Sequence, residues 1–150
     1  MISAQTEADV IDAVQAARAK SRTLEIVGGG TKRSYGRPTD CDDVLNVSAL
    51  RGVVKYEPAE LILTVLPGTP VAEITTLLDS KNQRLGFEPA DWGALLGATT
   101  GEMTIGGVLS ADANGAAAIR YGRARDSLLG VRAVNGLGEA YKAGGKVVKN

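Results

Sequence analysis

The sequence predicts an α+β domain, in which a small mixed sheet with flanking helices is followed by a part rich in glycine and alanine. The first observation is a helical repeat of apolar residues in two segments, 6–20 and 68–82. The second is a change of composition after residue 83, where the periodicity weakens. The third is a set of short apolar runs typical of strands, at 23–27, 44–47, 53–57 and 61–66.

Both predicted helices carry residues that favour a helix start. In the first helix, Thr6 can act as the cap, and Asp9 stands three residues later, as in a capping box. In the second helix, Thr69 suits the N-cap and Pro70 suits the first helical position. We therefore expect two amphipathic helices that each bury one apolar face.

The runs 53–57 and 61–66 are separated only by Pro-Ala-Glu, which predicts an antiparallel hairpin and argues against a purely doubly wound sheet. Near the end, 131–145 reads as a strand, a tight turn at Asn-Gly-Leu-Gly and a second strand. Residues 146–150 begin a further strand. Between these, 87–130 either wraps a ligand or is disordered, and its apolar residues favour order.

The length corresponds to about one domain. Within it we expect one subdomain at about 1–83 and a second at about 84–150. Because the sequence stops in a strand pattern with neither a turn nor a cap, we expect it to be the N-terminal portion of a longer protein.

Composition excludes several function classes. Lys plus Arg and Asp plus Glu number 17 each, so no strongly basic face for nucleic acid is expected. The cluster of Arg120, Arg123 and Arg125 is either a solvated loop or a local basic patch. There is no histidine, which excludes histidine-based acid–base catalysis and histidine metal ligands in this chain. The one cysteine, Cys41, lies among aspartates that disfavour its thiolate.

The location expected from the sequence is the cytoplasm. The N-terminus lacks a basic segment followed by an apolar core, so no secretory signal is predicted. No apolar run approaches the roughly 18 residues that a transmembrane helix needs.

Two groups of glycines suggest a bound anion. Gly28, Gly29 and Gly30 follow a predicted strand, and their N–H groups can converge on a phosphate or pyrophosphate, with charge added by Lys32 and Arg33. The spacing matches neither a P-loop nor a Rossmann fingerprint, and a glycine-rich β-turn is the alternative. The second group is Gly106 and Gly107, followed by small residues that let an elongated ligand lie against the backbone. A tightly packed Gly/Ala helix turn is the alternative there.

Taken together, these motifs resemble the FAD-binding domain of the vanillyl-alcohol oxidase and p-cresol methylhydroxylase flavoproteins. The matching stretches are VGGGTK at 27–32, FEPAD at 87–91, TIGGVLSADANG at 104–115, RYGRARDSLLG at 120–130 and NGLGE at 135–139. Within that family, YEPAELILTVLPGTPVAEI, LGFEPADWG and GGKVVKN are similar to the FAD-binding subunits of bacterial glycolate oxidases.

The resemblance implies which residues hold the cofactor. Gly28, Gly29, Gly30, Thr31 and Lys32 match the pyrophosphate loop. Pro89 matches a turn beside the flavin, and Val148 a strand beside the adenine. The second phosphate and ribityl contact corresponds to Thr104, Gly106, Gly107, Ser110 and Ala111. Tyr121, Gly122, Arg125 and Asp126 match a mainly architectural element. No catalytic residue is assigned, because the family's substrate domain is absent from this sequence.

The resemblance also implies an activity. We expect non-covalent FAD, because the chain has no histidine and Cys41 lies outside the matching motifs. The expected reaction is oxidation of a 2-hydroxy acid, glycolate to glyoxylate, in a complex with a second flavoprotein and an iron–sulfur subunit. Those partners would also place the protein at the inner membrane surface. The alternatives are another FAD-dependent 2-hydroxy acid dehydrogenase, an enolpyruvyl-sugar reductase, or a non-catalytic assembly domain.

Overall fold

The computed structural model describes residues 1–97 and 102–145, and it contains both helices and short strands. Two short 3-10 helices lie at Pro58–Glu60 and Ala124–Ser127. The other elements, in chain order, are β1 (Ile2–Ser3), α1 (Glu7–Ala19), β2 (Leu24–Val27), β3 (Asp43–Asn46), β4 (Val53–Glu57), β5 (Ile62–Val65), α2 (Val71–Asp79), α3 (Ile105–Ala111), α4 (Ala118–Tyr121), β6 (Gly130–Val134) and β7 (Ala140–Gly144).

The strands form three small sheets instead of one. Strands β1, β3 and β2 make a parallel sheet in that order, with Leu45 of the central strand opposite both Ile2 and Ile26. Strands β4 and β5 form an antiparallel hairpin, and so do β6 and β7. The two predicted hairpins are confirmed. The two-residue strand β1 was not predicted, because it is too short to show a period.

Helix α1 begins as the sequence predicts. The Thr6 hydroxyl accepts the Asp9 N–H at 3.2 Å, and the Asp9 carboxylate accepts the Thr6 N–H at 2.8 Å, which completes a capping box. The helix packs Ala13 against Ala4 and Leu45, so it covers the parallel sheet. The result is a compact unit in which α1 connects β1 to β2.

Helix α2 begins one residue later than predicted. Pro70 occupies the N-cap, and no side chain caps this helix, so the prediction of Thr69 as the cap is wrong. The Thr69 side chain is almost fully buried and forms hydrogen bonds with residues that flank the preceding hairpin. Its hydroxyl donates to the Leu66 carbonyl at 2.7 Å and accepts the Gly52 N–H at 2.9 Å. These bonds tie the two ends of the β4–β5 hairpin together.

The larger core lies between α2 and α3. Ile74 and Leu78 of α2 pack with Ile105 and Val108 of α3, and Phe87 joins them. This cluster draws residues from both sides of residue 84. Among the described residues, none of the helices is both long and apolar enough to cross a bilayer.

Replacing Ile74 by alanine should test how much this core contributes to the stability of the fold. Ile74 is 0% exposed, so Ile74→Ala leaves a cavity and should lower the free energy of unfolding by about 3 kcal/mol. The matched control is Ile26→Ala, at a strand position that is 58% exposed, which should cost less than about 1 kcal/mol. Urea denaturation followed by circular dichroism measures both. Equal losses would contradict this assignment of the core.

Candidate cofactor-binding site

The first glycine group lies where a parallel strand ends. Gly28 directly follows β2, and Val27 at the end of β2 still accepts the Val47 N–H at 2.8 Å. Gly30 has a φ of 73°, a left-handed conformation that glycine adopts without strain. Thr31 then turns inward and is buried. The loop therefore leaves the carboxyl edge of the parallel sheet, where open α/β sheets bind their ligands.

The second glycine group starts helix α3. The Thr104 hydroxyl is the N-cap and accepts the Gly107 N–H at 3.4 Å. A Cβ on Gly106 would lie 2.8 Å from the Pro67 carbonyl oxygen, and the Gly106 N–H donates to that oxygen at 2.9 Å. Gly106 is thus required where α3 packs closely on the chain before α2. This is the tight helix turn that the sequence left open as an alternative.

The two groups meet. A Cβ added to Gly28 would lie 2.6 Å from the Thr104 hydroxyl, and one added to Gly29 would overlap the Glu102 carbonyl oxygen. The first loop therefore needs glycine because another part of the chain lies against it. The sequence indicated a close approach to this backbone and attributed it to a ligand. The structure adds a protein neighbour at the same place.

A cavity of about 400 Å³ opens where the two loops meet. It brings together three predicted residues, Gly28, Gly29 and Thr104. Its other lining residues were not predicted: Ser48, Arg51, Gly68, Pro70 and Glu102. For Ser48 a signal existed, because it follows the predicted strand 44–47 and adjacent parallel strands end at the same edge. Arg51 and Glu102 carry no such signal in the sequence.

Backbone amides dominate what this cavity offers to a ligand. No acceptor for the N–H groups of Gly28, Gly29 or Gly30 is found among residues 1–97 and 102–145. The charged lining residues supply no net positive charge, since Arg51 is paired with Glu73 and the other charged lining residue is Glu102. A bound anion would therefore depend on converging N–H donors more than on net charge.

Lys32 directly follows this loop. Its ammonium group lies 3.4 Å from the Thr31 hydroxyl, and burial lowers the pKa of Lys32 below its ordinary value, with the Asp91 carboxylate opposing the shift. Arg33, which the sequence also offered, is held by Glu25 through two bonds of 2.8 and 2.6 Å. Lys32 is thus a partly desolvated charge, and Arg33 belongs to a surface ion pair.

A second cavity, of about 440 Å³, lies beside the Gly/Ala-rich segment. Ala111 lines it, as do Tyr35 and Trp92, whose rings lie 4.9 Å apart at 46°. Asp112 at its edge has a φ of 46° and is paired with Arg123 at 2.8 Å. This cavity offers flat aromatic surface, and the sequence gave no reason to single out Tyr35.

The remaining predicted residues lie elsewhere. Pro89 pairs with Asn114 in an antiparallel bridge, which holds the 87–91 turn on the segment after α3. Ser110 is exposed on α3, and Gly107 contributes its N–H to the Thr104 cap. Neither cavity is lined by Pro89, Ser110 or Gly107, nor by the predicted residues Gly30, Thr31, Lys32 and Gly106. Val148 lies outside the described residues.

The fold and the site define a class of protein. A parallel sheet with a glycine loop at its carboxyl edge, a cavity lined by Gly28 and Gly29, whose N–H groups have no acceptor among the described residues, and a second, aromatic cavity are suited to a cofactor with a diphosphate and a flat ring. The chain belongs to the FAD binding domain family, whose model matches residues 1–144. The family, the fold class and FAD as the cofactor, all expected from the sequence, are thereby confirmed.

Relatives extend over most of the chain. The glycolate oxidase subunit GlcE of Escherichia coli (strain K12) is 34% identical over 94% of this chain, which spans 38% of that protein. A D-2-hydroxyglutarate dehydrogenase of Xanthomonas citri pv. viticola is 29% identical over 91% of this chain and 28% of that protein. This chain therefore spans well under half the length of these curated relatives.

A solved structure supports the same fold. The 6-hydroxy-D-nicotine oxidase of Arthrobacter nicotinovorans matches with a TM-score of 0.77 at 15% identity, covering 95% of this chain and 29% of that one. At this identity the likeness concerns the fold alone.

Substituting Gly29 should test how the two loops fit. In Gly29→Ala the new Cβ would overlap the Glu102 carbonyl oxygen, so the loop has to move away from 102–104. We expect a loss of about 1–3 kcal/mol of stability, together with faster amide exchange in 28–31. The control is Gly136→Ala, where a Cβ meets nothing within 4 Å. Hydrogen exchange by mass spectrometry, combined with urea denaturation, measures both, and identical behaviour of the two variants would overturn this account of the contact.

Proposed function

We propose that the chain is the FAD-binding portion of a flavoprotein subunit that oxidises a 2-hydroxy acid, with glycolate as the favoured substrate. The observation that carries the proposal is the shared cavity at which the glycine loop after β2 meets Thr104 at the start of α3. The similarity to a glycolate oxidase subunit over 94% of the chain favours glycolate.

The residues of the first loop would hold the diphosphate. Gly28 and Gly29 line a cavity that can admit phosphate oxygens, and the N–H groups of residues 28–30 have no acceptor among residues 1–97 and 102–145; bonds from amides to phosphate oxygens are short and strong. Lys32 would supply positive charge beside them. When bound, FAD supplies the redox chemistry by accepting two electrons from the 2-hydroxy acid. We assign no catalytic residue in this chain.

The second cavity would take a flat ring. The Tyr35 and Trp92 rings offer a stacking surface, and Ala111 lets a ligand approach the backbone. We propose that FAD contacts Tyr35, Trp92 and the residues expected from the sequence. The latter are Gly28, Gly29, Gly30, Thr31, Lys32, Pro89, Thr104, Gly106, Gly107, Ser110, Ala111 and Val148. Gly106 and Gly107 would act by shaping the start of α3.

The proposal also covers the subdomains of this chain and its partner subunits. The chain would be the N-terminal portion of an FAD-binding domain, with subdomains at about 1–83 and 84–150. Since a relative is named as a subunit, we propose partner subunits, namely a second flavoprotein and an iron–sulfur protein. The protein would reside in the cytoplasm, with those subunits as its route to the inner membrane surface.

A second candidate substrate is D-2-hydroxyglutarate. The supporting observation is the 29% identity to a dehydrogenase named for that acid, over 91% of the chain. Glycolate and D-2-hydroxyglutarate both carry a hydroxyl group beside a carboxylate, so the same oxidation applies to both. The two candidate functions differ in the pocket that would hold the rest of the substrate. Reduction of bound FAD by each acid, followed at about 450 nm in the full-length protein, separates them.

FAD uptake is the direct test. Trp92 is the one tryptophan in the sequence and lines the aromatic cavity, so bound flavin should quench its fluorescence in a saturable way. Riboflavin lacks the diphosphate and should bind at least about tenfold more weakly, because it leaves the amides of 28–30 unused. The titration is run on this chain and on the full-length protein. Absence of FAD uptake by the full-length protein would refute the proposal.

The affinity for FAD should also depend on pH through Lys32. Burial depresses the pKa of Lys32 in the free chain, and a nearby diphosphate favours the charged form, so the bound state has the higher pKa. The bound state then holds more protons between these two values. The affinity is therefore steady below the free-state pKa and falls as the pH rises from the free-state pKa to the bound-state pKa.

Fluorescence titrations from about pH 7 to pH 10 measure this dependence, and Lys32→Gln should flatten it and weaken binding about tenfold. Lys142→Gln, at an exposed strand position, is the control and should keep the wild-type profile. An unchanged pH profile in Lys32→Gln would exclude Lys32 from the diphosphate site.

A further inference from the structure

Two arginines share one tyrosine ring on the outer face of the Gly/Ala-rich segment. The guanidinium carbon of Arg84, which follows α2, lies 4.8 Å from the centre of the Tyr121 ring, and that of Arg120 lies 5.4 Å from it. All three side chains are exposed. We call these three residues the Tyr121 platform. Tyr121 ends α4, so one short helix and the loop after α2 build it.

The positive charge of this platform has no carboxylate partner among residues 1–97 and 102–145. Six other arginines are paired with acids there: Arg22, Arg33, Arg51, Arg123, Arg125 and Arg132. Two acids lie near these arginines in the sequence, and each has other partners: Glu88 accepts the Ala117 N–H at 2.8 Å, and Asp126 accepts the Arg123 N–H at 2.8 Å and lies 3.7 Å from Arg125. Arg84 and Arg120 thus form a cationic pair in a chain whose formal net charge is zero.

The geometry favours a macromolecular partner over a small ion. A guanidinium group over an aromatic ring can still donate from its edge to carboxylates, and both Arg84 and Arg120 are exposed to solvent. The platform lines neither of the two cavities, so a small acid would gain little from enclosure. Ile119 on the same helix is 98% exposed and adds apolar surface, and it is also one of the residues that line the second cavity. Exposed Tyr and Arg beside an apolar side chain are typical of protein interfaces.

We propose that the Tyr121 platform binds an acidic segment of a partner protein, with Arg84 and Arg120 engaging its carboxylates. The inference deepens the proposed function, because it rests on this chain working as a subunit among others. It also assigns a role to Arg120, for which the sequence left a solvated loop and a local basic patch as alternatives. The patch consists of Arg120 with Arg84, whereas Arg123 and Arg125 are occupied by acids of this chain.

The test uses a fluorescently labelled peptide of six glutamates as the probe and measures its anisotropy at low salt. Arg84→Gln and Arg120→Gln should each weaken binding about threefold, and the double variant about tenfold. The matched controls are Arg18→Gln and Arg37→Gln, two exposed arginines that also have no carboxylate partner among the described residues. They should bind the peptide as the wild type does. Equal weakening in all variants would show non-specific attraction and overturn the proposal.

A second pair of variants tests the ring itself. Tyr121→Phe keeps a face on which both guanidinium groups can stack and should retain peptide binding. Tyr121→Leu removes that face and should weaken binding about threefold while the fold, monitored by circular dichroism, is kept. If Tyr121→Leu binds the peptide as tightly as Tyr121→Phe, the ring does not organise the arginines and the proposal fails.

Two further measurements separate this proposal from the cofactor site. Glycolate at about 1 mM, a concentration that would occupy a weak small-acid site, should not displace the peptide. Displacement would show that the arginines bind small acids and would overturn the proposal. FAD uptake should be unchanged in Arg84→Gln and Arg120→Gln, because neither residue lines a cavity. Peptide binding without FAD uptake would refute the flavoprotein proposal alone. FAD uptake without peptide binding would refute the platform proposal alone.

Discussion

Three backbone hydrogen bonds between the chain before α2 and the chain before α3 hold the site together. The Val71 N–H donates to the Met103 carbonyl, the Ile105 N–H to the Thr69 carbonyl, and the Gly106 N–H to the Pro67 carbonyl, at 2.9 to 3.0 Å. These bonds place the starts of two helices side by side. The apolar faces of α2 and α3 then pack into one core, and Thr104 is presented to the first glycine loop. The cavity exists because of this junction.

The glycines show why a motif alone does not identify its own cause. Consecutive glycines indicate that something comes close to the backbone, but a ligand and another stretch of protein satisfy that condition equally well. Here the Cβ positions of Gly28 and Gly29 are closed by Thr104 and Glu102, while their N–H groups remain without acceptors in the described structure. The same residues can therefore pack against protein through one side and offer donors through the other.

The sequence predicted the features that depend on local residue patterns. The capping box of Thr6 and Asp9, both hairpins and the apolar face of α2 depend on residues close in the chain, and all are present. The role of Thr69 was mistaken because its partners, Gly52 and Leu66, are set by the hairpin and not by the helix that follows. Arg51 and Glu102 reach the cavity only through tertiary packing, which no local spacing reports.

Recognition of a diphosphate by backbone amides, as proposed for the loop after β2, is compatible with different substrates. Amide donors respond to the oxygens of a diphosphate and are indifferent to the acid being oxidised, so the loop places no constraint on the substrate. Side chains with charge are used differently in this chain. Most of its arginines are neutralised locally by acids, and Arg84 and Arg120 stand out because a tyrosine ring, not a carboxylate, holds them. In the proposed function, cofactor binding through neutral amides would leave such surface charge free to select a protein partner, so the two tasks could vary independently.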